Sequence, residues 1–164
     1  YLISTISKYS SRSRERARNE KSYAIDVAFM DKRENAFSGE NLGWRLETVV
    51  YLELLRRKAG TENDIYYYQG RSAEADFVVC DGNKTLAVYQ VSYDISNDKT
   101  RKREIKGCIA GAKATKCDNI FLITDHQLTI HKHNLNKFLL LLICLHKMLR
   151  FKIKIILLTL FYKQ

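Results

Sequence analysis

The sequence predicts an α/β domain with a mixed sheet. Two segments with helical periodicity, 41–59 and 97–116, lie on either side of three short apolar strand candidates, and a fourth candidate follows the second helix. Turn residues separate the three strands, which favours an antiparallel meander. A helix that joins the third strand to the fourth favours parallel pairing of those two by a right-handed crossover. The expected order is therefore helix, three-strand meander, helix, strand.

The first helix is predicted over residues 41–59. Asn41 is a suitable N-cap residue, and Gly60 is placed to end the helix. Glu47 borders the apolar stripe of this helix, whereas Glu53 lies roughly 120° away from it and is expected to be solvated. The stripe itself should face the core, and it consists of Leu42, Leu46, Val49, Val50 and Leu54.

The strand candidates are residues 65–69, 75–80, 86–93 and 120–124. Gln69-Gly70 and Asp81-Gly82-Asn83 supply the turn chemistry between the first three. The apolar stretch 23–28, which precedes the first helix, is predicted to be a further strand or a turn.

The second helix should begin at Asn97 or Asp98 and run to about residue 116. Gly107 and Gly111, four residues apart, would let this helix approach a sheet closely. Its apolar stripe is predicted to be Ile105, Cys108, Ile109 and Ala112. Its outer face is basic and is either a solvated surface or a surface that binds phosphates; it carries Lys99, Lys102, Arg103, Lys106 and Lys113.

The formal net charge of +10 is concentrated at the C-terminal end of the 164 residues. Segment 126–164 holds six Lys, one Arg and no acidic residue, and it also lacks Gly, Ala and Val. These absences cover every amino acid whose codons begin with G. We treat the segment as an anomalous basic apolar tail, with a frameshift near Asp125 as the hypothesis. A membrane-surface segment and an ordinary terminal helix are the alternatives.

The remaining organisation is simple. Residues 1–22 are polar and basic after Ile6, and we interpret them as a connector that leaves an upstream domain, with a nucleic-acid-binding arm as the alternative. The four cysteines have no CxxC spacing and no signal peptide opens the chain, which indicates reduced thiols in a cytoplasmic protein. The longest apolar run, 138–145, is too short to span a bilayer, so no membrane span is expected.

One carboxylate stands out chemically. Asp76 interrupts an apolar strand, and burying it would require a metal, a cation or several hydrogen-bond donors. Gln90 lies on the neighbouring strand, with Ser92 on the same face, and Glu47 on the first helix could point to the same place. Two carboxylates and an amide oxygen form an oxygen-rich ligand set suited to Mg²⁺ or Mn²⁺. The alternative is a structural role in which Asp76 pairs with Arg71, Arg57 or a helix end.

Other chemistries are excluded. Neither GxxxxGK[ST] nor GxGxxG occurs, so ATP binding is assigned to no segment of this chain. Residues 1–125 contain no histidine, which excludes a Ser/His/Asp or Cys/His arrangement there, and no cluster has zinc-ligand spacing.

The order of elements and several short stretches resemble a known family. The stretches are YAID (23–26), LETVVYLELLRR (46–57), IYYY (65–68), EADFVV (74–79), QVSYD (90–94) and TRKREI (100–105). They resemble the restriction-endonuclease-like, PD-(D/E)xK nuclease fold, and more closely the C-terminal domain of prokaryotic predicted AAA+ ATPases. The resemblance covers about residues 1–125. It implies a nuclease-like domain over residues 23–125, preceded in whole proteins by an AAA+ module and a winged-helix segment whose end would be residues 1–22.

The resemblance also implies site residues. Active nucleases of this fold use a helix Glu, a strand Asp and an acid-x-Lys pair, which correspond here to Glu47, Asp76 and Gln90-Val91-Ser92. Glutamine and serine thus replace an acid and a lysine, and a lysine from elsewhere, such as Lys102, would have to compensate.

The expected function is that of a nuclease-like accessory domain of an ATPase, with a degenerate Mg²⁺ or Mn²⁺ site and a role in nucleic-acid or partner binding. Lys99, Lys102, Arg103 and Lys106 are the expected DNA contacts, and ATP would belong only to the upstream module. Whether the domain is an enzyme stays open. The alternatives are an active Mg²⁺-dependent DNA nuclease and a protein-interaction module without nucleic-acid contact.

Overall fold

The structure is a computed structural model that describes residues 2–26, 42–125, 132–135 and 138–144, the last two segments by their backbone alone. The predicted N-cap Asn41, residues 27–28 and most of the tail lie outside the described residues. The elements in chain order are β1 (Ile3–Lys8), α1 (Ser13–Arg18), β2 (Glu20–Ala24), α2 (Leu42–Lys58), β3 (Asn63–Gln69), β4 (Glu74–Asp81), β5 (Lys84–Val91), α3 (Asp98–Thr115), β6 (Asn119–Thr124), β7 (Lys132–Leu135) and β8 (Phe138–Cys144).

All the strands named above form one mixed sheet in the order β2-β1-β3-β4-β5-β6-β8-β7. The predicted meander is confirmed, since β3, β4 and β5 pair antiparallel. The predicted parallel pairing across the second helix is confirmed too, with Val88 opposite Ile120 and Val91 opposite Ile123. The fold class is therefore α/β with a mixed sheet, as the sequence predicts.

Residues 1–22 differ from the predicted connector. They contain β1 and α1, and β1 pairs antiparallel with β2 and parallel with β3. Ile6 of β1 is buried in the same cluster as Tyr23 of β2. The polar composition of the segment hides this strand. Ile6 is the one residue of β1 that is buried, so the strand lacks the alternation of apolar and polar residues that would reveal it in the sequence.

The sheet also extends beyond residue 125. β8 pairs parallel with β6, and β7 pairs antiparallel with β8. Two segments of the predicted tail, 132–135 and 138–144, therefore continue the sheet. None of the helices in the described part of the chain combines the length and apolar character needed to cross a membrane.

The two long helices cover opposite faces of the sheet. From Phe77 onward the residues of β4 alternate between two core clusters: Phe77 packs with α2 residues, and Val78 packs on the other side. On β6, Ile123 joins the α2 cluster and Leu122 joins the cluster that contains Cys108 of α3. The tyrosines 66–68 alternate between the two faces, with Tyr67 in the α2 cluster and its two neighbours against the opposite one.

The ends of the elements follow the turn chemistry of the sequence. Asn97 caps α3 by accepting hydrogen bonds from the backbone N–H groups of Lys99 and Thr100. Gly60, just past the end of α2, and Gly82, in the β4–β5 turn, have positive φ angles of 82° and 54°. These positions are confirmed as predicted.

Two features of the helices were predicted incorrectly. Glu53 is 8% exposed rather than solvated, because Arg56 and Arg57 both donate hydrogen bonds to its carboxylate. The buried face of α3 is shifted from the predicted stripe, so that Ile105 and Ile109 are only half-buried. Its buried residues are Glu104, Gly107, Cys108, Gly111, Ala112 and Thr115.

Candidate functional site

The strands β4 and β5 separate at the point where the candidate site lies. Their pairing ends with Phe77 opposite Tyr89, one residue before Asp76 and Gln90. Beyond that point the Asp76 carboxylate takes over, since its Oδ2 accepts a hydrogen bond from the backbone N–H of Val91 at 2.8 Å. The short side chain of Asp76 thus accepts the hydrogen bond of a backbone N–H that no longer pairs between β4 and β5.

The structure brings Glu47 and Asp76 together through a residue that the sequence analysis missed. Lys21 of β2 places its Nζ 3.6 Å from Glu47 Oε1 and 3.6 Å from Asp76 Oδ1. The same Nζ lies 5.4 Å from the centre of the Tyr67 ring. The Lys21 ammonium is therefore the cation that the buried Asp76 requires, and Arg71 and Arg57, the partners considered above, are not.

Tyr23 completes this group from the same strand. Its hydroxyl donates to Glu47 Oε1 at 2.7 Å, and its ring stacks on that of Tyr51 with centroids 4.4 Å apart. Lys21 and Tyr23 are two residues apart on β2, so they lie on one face of the strand. That alternation is the feature of the sequence that could have placed Lys21 at the site. It was not used because residues 1–22 were interpreted as a connector. We call Lys21, Tyr23, Glu47 and Asp76 the carboxylate–lysine cluster.

Burial and charge shift the titration of the cluster. Burial, and after it the negative charge of Glu47, raises the pKa of Asp76 to about 7, although Lys21 and the Val91 N–H act in the opposite direction. Burial disfavours the Lys21 ammonium, but the charges of Asp76 and Glu47 outweigh it and raise the pKa of Lys21 above its usual value. Burial and then Glu47 also raise the pKa of Tyr23. Lys21 thus stays charged at neutral pH, and Tyr23 stays a donor.

Gln90 and Ser92 take no part in this cluster. The Gln90 amide is turned toward α3, where its Nε2 donates to Glu104 Oε2 at 2.8 Å. Its Oε1 is buried and has no hydrogen-bond partner among the described residues. Ser92 donates from Oγ to the carbonyl of Asp94 at 3.3 Å, a contact within the following turn. The predicted three-ligand set is therefore divided between two faces of the sheet.

These observations test whether Mg²⁺ or Mn²⁺ would fit. A divalent cation needs several oxygen ligands around one point. Here an ammonium lies between the two carboxylates, and the side chain of the third predicted ligand is bonded elsewhere. Within the described ranges, no group of three or more His, Cys, Asp or Glu side chains could hold a metal ion. The residues as arranged do not fit a divalent metal.

Glu104 joins the candidate site to the basic face of α3. Its Oε1 accepts from Arg103 Nε at 3.0 Å and from Arg103 Nη2 at 2.5 Å, while its Oε2 accepts from Gln90. The side chain of Glu104 is only 9% exposed, whereas that of Arg103 is 75% exposed. Glu104 lies three residues before Gly107, which lies four residues before Gly111. This helical spacing is the signal that would have identified Glu104 as part of the buried face.

The other predicted nucleic-acid contacts are accessible. Lys99, Lys102 and Lys106 are exposed, and none of the ion pairs found among the described residues involves them. Together with Arg103 they lie within about 100° of arc around the helix axis. Among the described residues, the ion pairs of Glu47 and Asp76 are made by Lys21 and not by the exposed Lys102. We call Lys99, Lys102, Arg103 and Lys106 the basic face of α3.

A separate cavity of about 440 Å³ lies between β1, α2 and β3. Arg16, Tyr51, Lys58 and Asp64 contribute to its lining, and Lys58 pairs with Asp64 at 3.0 Å. None of the site residues predicted from the sequence lines this cavity.

Comparison with known proteins adds a family and two similarities. The family described as a domain of unknown function, DUF4143, matches residues 42–141, which extends past Asp125 into the tail. An uncharacterized protein of Methanocaldococcus jannaschii is 34% identical over 122 residues, which make up 74% of this chain and 26% of that protein. The chain thus spans about a quarter of the length of this relative.

One similar solved structure is a chain from a half-complex of the tetradecameric assembly of Thermococcus gammatolerans McrB AAA+ hexamers with bound McrC. The similarity has a TM-score of 0.47 at 12% identity, and it covers 63% of this chain and 28% of that one.

Proposed function

The chain belongs to the DUF4143 family, and from this premise we propose that it is a nuclease-like accessory domain of an ATPase that binds nucleic acid without cutting it. The observation that carries the proposal is the basic face of α3. Its members are exposed, they point in one general direction, and the lysines among them are not neutralised by an ion pair within the described residues. Such a surface suits the phosphate backbone of a duplex rather than its base edges.

The arrangement of Arg103 strengthens this proposal. Both of its contacting nitrogens are held by one oxygen of the buried Glu104, and Glu104 is in turn held by Gln90. A guanidinium fixed in this way loses less side-chain entropy when it contacts a phosphate. Its charge is already paired with Glu104, however, so binding should depend on the unpaired lysines of the same face at least as much as on Arg103.

Two features support binding without cleavage. Gln90 and Ser92 stand where the resemblance places an acid and a lysine, and neither side chain reaches the carboxylate–lysine cluster through a hydrogen bond. The two carboxylates that remain are already bridged by Lys21. A reaction that relies on a divalent cation would lack both an open position and a third anionic ligand.

The ATPase part of the proposal concerns the parent protein. The resemblance of residues 1–125 to the C-terminal domain of predicted AAA+ ATPases supports it. On this proposal ATP binds in an upstream module, and the domain described here supplies contact with DNA in the cytoplasm.

Fluorescence anisotropy with a labelled duplex tests the binding. The variant Lys102→Glu/Arg103→Glu/Lys106→Glu should weaken binding at least tenfold for duplexes of different sequence. The slope of log affinity against log salt concentration should fall by the equivalent of about three phosphate contacts. The matched control reverses three other exposed charges, Arg18, Arg71 and Lys84. The comparison is repeated without residues 127–164, because the basic side chains of the tail bind DNA by themselves. Equal weakening in both triple variants, or none in the first, would refute the proposed contact surface.

A second candidate function, Mg²⁺-dependent cleavage, is favoured by one observation. Lys21 brings to Glu47 and Asp76 the ammonium that Ser92 cannot supply. Plasmid nicking with Mg²⁺ or Mn²⁺ distinguishes the candidates, and we expect none. Robust nicking by the unmutated protein that disappears in Asp76→Ala would replace the first proposal with the second.

A further inference from the structure

The carboxylate–lysine cluster carries one inference beyond the proposed function. Lys21 Nζ is equidistant, at 3.6 Å, from an oxygen of Glu47 and an oxygen of Asp76, and a third side of the ammonium faces the Tyr67 ring. Anionic oxygens and the electron-rich face of a ring are the partners that a cation prefers. We infer that Lys21 is a built-in cation that takes the place of a divalent metal, and that removing its ammonium opens a latent divalent-cation site.

The carboxylates require a cation because Asp76 is buried beside a half-buried Glu47. Asp76 is 4% exposed, and the side chain of Glu47, which accepts from the buried Tyr23 hydroxyl, is 20% exposed. Two carboxylates in such surroundings repel each other and lose their hydration, so one hydrogen bond to each leaves them poorly stabilised. The Val91 N–H and the Tyr23 hydroxyl are neutral donors. In this cluster Lys21 alone supplies positive charge.

The same ammonium excludes a divalent cation. Mg²⁺ binds oxygen at about 2.1 Å, so a metal bound to the oxygens that face Lys21 would lie within about 6 Å of its Nζ. At that separation the repulsion between the ammonium and the metal ion is comparable to the free energy with which a protein binds a metal weakly. With Lys21 shortened, the two carboxylates keep their positions on α2 and β4 and lose this repulsion. The cluster involves no residue of α3, so the inference does not depend on DNA binding.

Thermal unfolding with and without Mn²⁺ tests the inference on the full chain. At about pH 8, where Asp76 is ionised, Lys21→Ala should lower Tm by roughly 10 °C, as expected when a buried charge loses its partner. Mn²⁺ should raise the Tm of Lys21→Ala and leave that of the unmutated protein unchanged. Free Mn²⁺ measured by electron paramagnetic resonance should show at least about tenfold tighter binding by the variant, because the ammonium no longer repels the metal.

Further variants keep the test decisive where Lys21→Ala folds poorly. Lys21→Met/Asp76→Asn, which removes one charge of each sign, should unfold at a higher temperature than Lys21→Met and should not respond to Mn²⁺. Lys21→Arg, which keeps the charge, should still exclude Mn²⁺. Asp76-dependent Mn²⁺ binding by the unmutated protein would overturn the inference by showing a metal site. An unaltered Tm in Lys21→Ala, or no gain of Mn²⁺ binding, would overturn it as well.

Discussion

Asp76 connects the sheet to the candidate site within a single side chain. One of its oxygens replaces a strand carbonyl for the Val91 N–H, and the other faces Lys21. Asp76 therefore stabilises the point where β4 and β5 diverge, and through Lys21 it also links the sheet to Glu47 of α2. The sequence shows the unusual residue, but its partner comes from a strand more than fifty residues earlier in the chain.

The titration of Asp76 leads to the first prediction. Its pKa is about 7 in the folded protein against an ordinary value of 3.8, so the folded state holds this proton more tightly than the unfolded state. The contribution of Asp76 to the free energy of unfolding is therefore full below about pH 4 and is lost as the pH rises to about 7. Asp76→Asn should flatten the pH dependence of stability over that interval. Urea unfolding at several pH values measures it, and the exposed Asp81→Asn serves as control.

Gln90 gives a second prediction at the residue scale. Gln90→Glu would rebuild the acid that the resemblance expects, but it would also place a carboxylate oxygen at the 2.8 Å contact with Glu104. We expect it to lower the free energy of unfolding by about 1–3 kcal/mol at neutral pH, because two buried acceptors would face each other. The exchange Gln90→Glu/Glu104→Gln restores one donor and one acceptor and should recover most of the loss. Denaturant melts decide, and a stable Gln90→Glu protein would show that this contact is unimportant.

At the scale of elements, the close approach of α3 to the sheet depends on glycine. A Cβ at Gly107 would lie 2.3 Å from the carbonyl oxygen of Glu74, and one at Gly111 would lie 2.9 Å from the Ala75 Cβ. Real Cβ atoms essentially never come within 3.0 Å of another such heavy atom, so a side chain at either position would push the helix away. The spacing of these glycines predicts the approach correctly. The same spacing indicates that Glu104, three residues before Gly107, belongs to the buried face of α3.

A pair of glycine substitutions tests this element. Gly107→Ala should destabilise the protein by about 1–3 kcal/mol, because the added methyl overpacks a rigid contact. Gly43→Ala in α2 is the matched control, since nothing lies within 4 Å of its Cβ position and alanine favours a helix by up to about 1 kcal/mol. Thermal melts should therefore move in opposite directions. Equal shifts for the two variants would show that the contact of α3 with Glu74 is looser than described.

At the scale of the whole molecule, local signals predicted most of the fold, and non-local pairing accounts for what they missed. The periodicity of α2 and α3 and the turns around β3, β4 and β5 are written in neighbouring residues, so these elements were predicted within two residues of their observed ends. The strand β1 buries one side chain, Ile6, and so leaves almost no local trace, and β8 lies in a segment of unusual composition. The same holds for the candidate site: Glu47 and Asp76 are evident in the sequence, whereas Lys21, which contacts both, lies in the segment interpreted as a connector.

The last prediction compares the two ends of the chain by deletion. The three described core clusters are built from residues between Ile6 and Ile123, and Ile6, Tyr23 and Lys21 all belong to the first 24 residues. Deleting 1–24 removes core side chains, two strands and the cation of Asp76, so we expect it to abolish cooperative unfolding. Deleting 127–164 removes β8, one of the two neighbours of β6, and so exposes one edge of β6. We therefore expect a lower Tm with a single transition. Calorimetry of both proteins distinguishes these outcomes. Cooperative melting without residues 1–24 would return that segment to the role of a connector, and aggregation without 127–164 would make β8 an essential part of the core.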